Sequence, residues 1–348
     1  MIDRFRRLIA ATGPVSVAQF VAESNAHYYD SRDPLGAAGD FITAPEISQM
    51  FGELVGLWLA DVWTRAGSPA RVHYVEFGPG RGTLARDALG AARRFGLDPQ
   101  VHFVEASRTL GAAQAERVPG AQWHNDPSTL PDDAPLLIVA NEFFDALPVR
   151  QLVRTSLGWR ERMVGIEGDR LVPVVGTRPM DAALADDPAA VLATAEGTII
   201  ETAPAAAALM REIAARLAAQ GGTALVIDYG RTLPATGSTL QALRAHRPVD
   251  PFAHPGEADL TAHVDFAMLA RVAAAAGARV MGMAEQGAFL GALGLGARAG
   301  ALIARHPDRA KEIEAAVHRL AAPEAMGRLF KVLGLGAAHW PQGAGFTR

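Results

Sequence analysis

The hydrophobic pattern of this chain alternates between short apolar runs and longer stretches with helical periodicity. Strands are predicted at residues 71–77, 101–105, 121–124, 136–140 and 223–230, and helical stretches separate several of them. Continuous apolar runs are typical of parallel strands that are covered on both faces. The pattern therefore predicts an α/β fold in which helices flank a largely parallel sheet.

Three glycines at alternate positions follow the first of these strands. Gly78, Gly80 and Gly82 come directly after the strand that carries Glu76, and a helical pattern begins near Thr83. Glycine allows a sharp turn and lets a ligand approach the backbone closely, and a helix start offers unpaired N–H groups. The stretch predicts a site for a nucleotide-like cofactor. Its candidate binding residues are Glu76, Gly78, Pro79, Gly80, Gly82, Thr83 and Leu84.

The glycine spacing and a second acid narrow the class of cofactor. Dinucleotide sites use G-x-G-x-x-G, whereas the third glycine here comes one residue earlier. Glu105 ends the next strand about 20 residues further on, where acids of nucleotide-binding sheets pair with ribose hydroxyls. The acid and the alternate glycines are similar to the first motif of class I S-adenosylmethionine-dependent methyltransferases. An NAD-dependent oxidoreductase is the competing interpretation.

A polar cluster follows the strand at 136–140. Asn141, Glu142 and Asp145 stand beside two phenylalanines, Phe143 and Phe144. Open α/β sheets place their chemistry at the carboxyl ends of strands. We therefore predict that this segment contributes to the functional site.

The remaining patterns give the domain organisation. Alternating apolar positions after residue 148 indicate antiparallel hairpins, and alanine-rich helical stretches fill much of the last quarter of the chain. A face with Trp58 and Trp63 is either core or the interface of a homodimer. The predicted divisions are an N-terminal helical segment (1–68) and a main domain (69–348) with an inserted hairpin region (about 149–196), a long loop (231–262) and a C-terminal helical region (about 286–335).

Composition excludes several classes of partner. The chain has 348 residues, 49% of them hydrophobic, with a formal net charge of −4 and no cysteine. The charge gives no polyanion-binding signature, so we expect no nucleic-acid partner. No apolar run reaches the ~18 residues of a membrane span, and thiolate metal sites are excluded, so we expect neither membrane insertion nor a metal. With no secretory signal in the N-terminal pattern, we expect a cytoplasmic bacterial protein.

Four motifs occur together in a specific order: Gly36–Gln49, the glycine turn with Glu76, Asn141–Pro148 and Asp259–Phe266. Together they resemble the MidA-like family, and the likeness extends over nearly the whole chain. The resemblance implies a Rossmann-like class I methyltransferase fold with a mixed sheet, and S-adenosyl-L-methionine as the cofactor. Family members of the mitochondrial matrix are protein arginine methyltransferases that assist complex I assembly. The resemblance therefore implies a protein acceptor, an arginine in a subunit of the respiratory NADH dehydrogenase.

Arginine chemistry assigns roles to the candidate acids. A guanidinium group is always protonated in water, and carboxylates both orient it and accept a proton as the new bond to nitrogen forms. We expect Glu142 and Asp145 as its partners and His263 as a proton relay. The structural alternatives are helix-capping acids and a histidine bonded to the backbone.

The other candidates lie around these acids. Asn141 is expected beside the adenosine or the acceptor. Phe143 or Phe144 is expected against the adenine or the flat face of the guanidinium, and core packing is the alternative. In the first motif the candidates for contact with the cofactor or the acceptor are Asp40, Thr43 and Glu46.

Two further interpretations of function stay open. The chain could be a non-catalytic assembly factor that binds S-adenosyl-L-methionine, because a binding loop alone does not show turnover. It could also methylate a small amino group, since Asn141–Phe144 is distantly similar to the Asn-Pro-Pro-Tyr motif of such enzymes, although both prolines are missing.

Overall fold

The computed structural model describes residues 1–31, 42–105, 107, 110–181 and 195–346. Asp40 lies outside the described residues. Packing divides the chain into unit 1 (Met1–Phe41, Asp145–Leu209 and Arg231–Ala267) and unit 2 (Ile42–Phe144, Met210–Gly230 and Met268–Arg348). This division differs from the predicted boundary at residue 68.

The helices of the described residues alternate with the strands along most of the chain. They are α1 (Ile2–Thr12), α2 (Val17–Ser31), α3 (Ala44–Ile47), α4 (Gln49–Arg65), α5 (Thr83–Ala92), α6 (Gly111–Arg117), α7 (Pro204–Gln220), α8 (Phe266–Ala275), α9 (Gln286–Ala292), α10 (Leu295–Arg305) and α11 (Ala310–Ala321).

The strands fall into three sheets. They are β1 (Val15–Ser16), β2 (His73–Phe77), β3 (Gln100–Val104), β4 (Gln122–His124), β5 (Leu136–Asn141), β6 (Arg150–Thr155), β7 (Gly158–Glu167), β8 (Arg170–Pro179), β9 (Ile199–Thr202), β10 (Gly222–Arg231), β11 (Gln241–Arg244), β12 (Arg247–Val249), β13 (Asp259–Thr261), β14 (Val264–Asp265), β15 (Arg279–Glu285) and β16 (Phe330–Gly336).

Unit 2 is built on a mixed sheet with the strand order β15-β16-β10-β5-β2-β3-β4. The strands from β10 to β4 run parallel to their neighbours, and β16 is antiparallel to both β10 and β15. The carboxyl ends of β2 and β5 lie side by side, since Phe77 is paired with Ala140. The predicted mixed sheet is confirmed.

Helix α4 packs closely on α5. A Cβ atom on Gly56 would lie 2.0 Å from the carbonyl oxygen of Ala88, so only glycine permits this approach. Trp58 is 1% exposed and belongs to the same core. This packing explains why unit 2 begins well before residue 68, and it makes Trp58 a core residue.

One prediction about the helices in unit 2 is wrong, and another stretch divides into two helices. Residues 44–65 form α3 and α4, because Ser48 is extended and its side chain caps α4 through the N–H of Met50 at 3.2 Å. The helical region expected to reach residue 335 ends earlier, because Phe330–Gly336 is the buried strand β16. Periodicity alone cannot distinguish a short apolar run in a strand from one in a helix.

Unit 1 is largely antiparallel. Strands β1, β7, β6 and β9 form a sheet in that order, with β8 paired to β7, which confirms the predicted hairpins. A second sheet, β12-β11-β13, occupies part of the segment predicted as a long loop. Helices α1 and α2 contribute Phe5 and Phe20 to a core shared with Val164 and Leu260.

No single described helix is long and apolar enough to cross a membrane. The pair α9 and α10 meets the length and composition criteria together, but it is bent by 66°. Phe289, Leu290 and Leu295 of this pair lie in the core of unit 2. Their packing accounts for the apolar composition of the pair.

Candidate functional site

The turn between β2 and α5 has the backbone geometry that its glycines predict. Gly78, Gly80 and Gly82 have φ angles of 61°, 54° and 80°, which side chains disfavour. The N–H of Gly82 donates to the carbonyl oxygen of Pro79 at 2.7 Å and closes the turn. Helix α5 begins with Thr83, and the side chain of Leu84 belongs to the core.

Two neighbouring side chains support the glycine turn. A Cβ atom on Gly78 would lie 2.7 Å from Cδ2 of Phe143. The buried Gln114 donates from Nε2 to the carbonyl oxygen of Gly80 at 2.7 Å and accepts from the Trp123 indole at 2.7 Å. Sequence reasoning missed Gln114, because no local pattern marks a helix residue that reaches a distant turn.

The first motif reaches the glycine turn through Glu46. The hydroxyl of Thr83 donates to the Glu46 carboxylate at 2.5 Å, and Arg81 lies 4.0 Å from the same carboxylate. Thr43 is the N-cap of α3, and its carbonyl oxygen accepts from the Glu46 N–H at 3.0 Å. Two of the three candidates of this motif therefore lie beside the turn or at the helix start that leads to it.

The two acids predicted to bind the cofactor have different surroundings. Glu76 is 2% exposed within β2 and accepts from the Tyr74 hydroxyl at 2.6 Å. Burial raises the pKa of Glu76 to about 8, so the group is largely neutral at pH 7. Glu105 follows the carboxyl end of β3, is partly exposed, and accepts from the Ser107 N–H at 2.8 Å.

Strand β5 ends in a strained acid. Glu142 has a φ of 50°, a conformation that costs a residue with a side chain about 1–2 kcal/mol. Its N–H donates to the carbonyl oxygen of Ile227 at 2.8 Å. Its Oε1 accepts from the Ala44 N–H at 2.8 Å and from the Asn141 side chain at 3.2 Å. Such outliers persist where the surroundings fix them, and they cluster at functional sites.

Asp228 fixes the backbone of Phe143 and Phe144, which follow Glu142. This buried carboxylate, at 0% exposure in β10, accepts from the N–H groups of Phe143 and Phe144 at 3.2 and 3.0 Å. Phe144 is core at 3% exposure, whereas Phe143 is partly exposed and packs 5.6 Å from the ring of Phe77. The strand-end position of Asp228 was a visible signal, but its partners 84 and 85 residues away were not.

The other two predicted catalytic residues belong to unit 1. The carbonyl oxygen of Asp145 accepts from the Ala262 N–H at 2.9 Å, which places Asp145 beside the residue preceding His263. The backbone N–H of His263 donates to the Thr239 hydroxyl at 2.9 Å. Burial lowers the pKa of His263, an effect that nearby Glu201 opposes.

A row of three histidines crosses the parallel strands of unit 2. We call His73, His102 and His124 the histidine row. Each contact between neighbours is 3.0 Å, from His73 Nδ1 to His102 Nε2 and from His102 Nδ1 to His124 Nε2. Asp133 lies 2.8 Å from His73, and the Thr129 hydroxyl lies 2.8 Å from His124. Burial and the two neighbouring imidazoles lower the pKa of His102 to about 4.

The neutral histidine row can satisfy all its contacts at once. If the Thr129 hydroxyl donates to His124 rather than to the carbonyl oxygen of Asp126, 2.8 Å away, each imidazole donates from Nε2 and accepts at Nδ1, and Asp133 accepts last. In this arrangement a proton added to His102 would place its Nδ1–H opposite the Nε2–H of His124, so His124 would have to move its proton to Nδ1. Within the described residues, no three histidine, aspartate or glutamate side chains converge as metal ligands.

The glycine turn and the end of β5 fit an adenosylmethionine-type cofactor. The three glycines of the turn present backbone without side chains of their own beside the start of α5. Among the described residues, the buried Oδ1 of Asn141 has no hydrogen-bond partner, so it is available to a ligand donor. Glu105 follows β3, the neighbour of β2, at a position where an acid of nucleotide-binding sheets pairs with ribose hydroxyls.

Residues 54–284 match the family described as S-adenosyl-L-methionine-dependent methyltransferases. The chain belongs to this family. The MidA-like resemblance is confirmed, and the protein is an S-adenosyl-L-methionine-dependent methyltransferase with that cofactor. The NAD-dependent alternative is accordingly set aside.

Relatives and solved structures extend over almost the whole methyltransferase. It is 36% identical to the Drosophila melanogaster protein arginine methyltransferase NDUFAF7 homolog, mitochondrial, over 97% of this chain and 86% of that one. Against human NDUFAF7 the identity is 33%, over 100% and 86%. A COG1565 superfamily protein from Burkholderia thailandensis, solved with S-adenosyl-homocysteine, has a TM-score of 0.85 and 28% identity, over 99% and 93% of the two chains.

Proposed function

We propose that this methyltransferase transfers a methyl group to the guanidinium of an arginine in a protein. Its strongest support is the position of Glu142, a carboxylate fixed in a strained conformation at the end of β5. The neighbouring Phe143 packs against Gly78 of the glycine turn. Relatives named as protein arginine methyltransferases support the same acceptor.

Methyl transfer to a guanidinium needs a group that orients the guanidinium and accepts a proton from it. A carboxylate can do both. When bound, S-adenosyl-L-methionine supplies a methyl group on a positive sulfonium sulfur. The guanidinium nitrogen that receives the methyl group would release a proton. Glu142 would pair with the guanidinium, orient it and receive that proton. Asp145 is proposed as a further carboxylate for the guanidinium, and His263 is proposed as a proton relay.

Other side chains are proposed to hold the cofactor. Backbone groups of the glycine turn and α5 would contact it, Glu105 would accept from the ribose hydroxyls, and Asn141 would accept through its buried Oδ1. Phe143 would stack on a flat group of the cofactor or acceptor, with an attraction of about 0.5–2 kcal/mol if that group is a cation.

The family supports a proposal for the acceptor protein and its location. We propose a subunit of the respiratory NADH dehydrogenase as the acceptor, in the cytoplasm of a bacterium. The Drosophila melanogaster and human relatives are both mitochondrial by name. A methylarginine comparison of proteomes with and without the gene should show loss of methylation at an arginine of such a subunit, and unchanged methylarginine throughout would refute the proposed acceptor.

Glu142→Gln tests the role of the carboxylate. The amide keeps an oxygen that can accept from the Ala44 N–H, but it cannot take up the proton. We expect methyl transfer to fall by about a hundredfold or more, while calorimetry shows unchanged cofactor affinity. Glu116→Gln, on the exposed surface of α6, is the matched control. Full activity of Glu142→Gln would remove this residue from the mechanism.

A further inference from the structure

A cleft of about 290 Å³ opens beside the glycine turn in unit 2. It is bounded by the segment from Pro45 to Gln49 and by helices α5, α6, α10 and α11. Small-molecule sites usually measure about 300–1,000 Å³, so this cleft has room for a side chain and its neighbour. Its charged and polar lining includes Glu46, Arg86, Arg117, His306, Arg309 and Glu312. We call this site the arginine cleft.

Most of the charges in the arginine cleft are already paired. Arg86 binds Asp87 at 2.8 Å, and Arg309 binds Glu312 at 2.9 Å. Arg117 differs, since no carboxylate of the described chain lies within ion-pair distance of it. Its guanidinium donates from Nη1 to the carbonyl oxygen of Ala113 at a long distance of 3.3 Å. A partly buried guanidinium of this kind attracts a carboxylate or phosphate.

Arg117 is also joined to the cofactor turn. A Cβ atom on Gly82 would lie 3.8 Å from Cβ of Arg117, so the stem of the arginine packs against the turn. One turn earlier on the same helix, Gln114 donates to the carbonyl oxygen of Gly80. A group bound by Arg117 would therefore lie directly behind the backbone that is proposed to hold the cofactor.

Apolar side chains complete the lining. Leu302, Ile313 and Ala316 stand in the same cleft as Arg117, and Ile313 is 8% exposed. An acidic residue with apolar neighbours can fill both parts of this lining, because its carboxylate would pair with the cation and its neighbours would pack on the apolar side chains. We propose that the arginine cleft binds an acidic residue of the protein acceptor through Arg117. The proposal rests on the acceptor being a protein, as inferred above.

The experiment measures peptide binding without methyl transfer. The probes are Gly-Leu-Glu-Leu-Gly amide with fluorescein on its N-terminus and its twin with Gln in place of Glu, each titrated by fluorescence anisotropy into protein saturated with S-adenosyl-homocysteine. A hydrogen bond between two charged groups is stronger than one to a neutral amide, so we expect the Glu peptide to bind about tenfold or more tightly than its twin. Arg117→Gln should abolish this preference, and Arg117→Lys should retain part of it. The exposed Arg94→Gln is the matched control and should retain it fully.

Four results would overturn the proposal. The Glu and Gln peptides could bind equally, or Arg117→Gln could leave the preference intact. Inorganic phosphate could compete as strongly as the Glu peptide, which would indicate a small-anion site. Calorimetry could show that Arg117→Gln weakens S-adenosyl-homocysteine binding, which would assign the cleft to the cofactor. Because no result depends on the methylated residue, the arginine proposal is tested separately by Glu142→Gln.

Discussion

Two regions of the sheet in unit 2 carry buried or partly buried polar groups, and they differ in how those groups are satisfied. The first, which we call the carboxyl edge, comprises residues 78–82 and 141–144. It has positive φ angles, including that of Glu142, and a buried Asn141 oxygen without a partner among the described residues. The second is the histidine row, in which each imidazole nitrogen contacts another side chain.

The difference shows which polar groups indicate a site for a ligand. If a lowered pKa alone were used to identify a ligand site, it would point to His102, which lies inside a closed hydrogen-bonded row. Backbone strain and an unsatisfied acceptor point to the carboxyl edge instead, where parallel strands usually place their chemistry. We therefore expect substitutions at the edge to change binding and transfer, and substitutions in the row to change stability.

Gly78→Val should give the largest effect at the carboxyl edge. A β-branched side chain at a φ of 61° is strained, and its Cβ would lie 2.7 Å from the Phe143 ring. We expect S-adenosyl-L-methionine affinity to fall about a hundredfold by calorimetry, equivalent to about 2.7 kcal/mol. Gly90→Val is the matched control, because a Cβ there has nothing within 4 Å. Equal affinities of the two variants would contradict the assignment of the turn.

Asp228→Asn should weaken the hydrogen bonds that support the carboxyl edge and leave the sequence of the glycine turn unchanged. The amide retains one acceptor oxygen for the N–H groups of Phe143, Phe144 and Tyr229. We expect a loss of about 1–3 kcal/mol in the free energy of unfolding, together with slower methyl transfer at saturating cofactor. Urea unfolding and transfer assays measure the two effects. Asp61→Asn, in an exposed i,i+4 ion pair, should change stability by less than about 1 kcal/mol.

The histidine row predicts a pH-dependent stability with no effect on cofactor affinity. The folded pKa of His102 is about 4 and the usual value is 6.5, so between these values the unfolded chain binds the extra proton. The free energy of unfolding should therefore fall as the pH is lowered, by about 2 kcal/mol between pH 7 and pH 5.

His102→Gln should reduce that pH dependence, as measured by urea unfolding at each pH. The exposed His339→Gln should leave it unchanged. If His102→Gln weakened S-adenosyl-L-methionine binding at pH 7 as much as Gly78→Val does, the result would contradict the claim that the histidine row affects stability and not cofactor binding.

Local features were predictable from the sequence, and long-range ones were not. The strand, turn and helix around Gly78–Thr83 follow from neighbouring residues, so the prediction was accurate. The strand at Phe330–Gly336 looked helical because its identity depends on pairing with β10 and β15. The contacts of Asp228 and Gln114 join segments far apart in the chain, and no periodicity reveals them.

A crystal structure of this protein with S-adenosyl-homocysteine tests the central claim most directly. We predict that the cofactor contacts the backbone of the glycine turn, that its ribose hydroxyls donate to Glu105, and that a donor group meets the Asn141 oxygen. Glu142 should keep its positive φ, with its carboxylate facing the position from which the methyl group has left. Density for the cofactor away from the carboxyl edge, or a ribose that does not contact Glu105, would contradict the account.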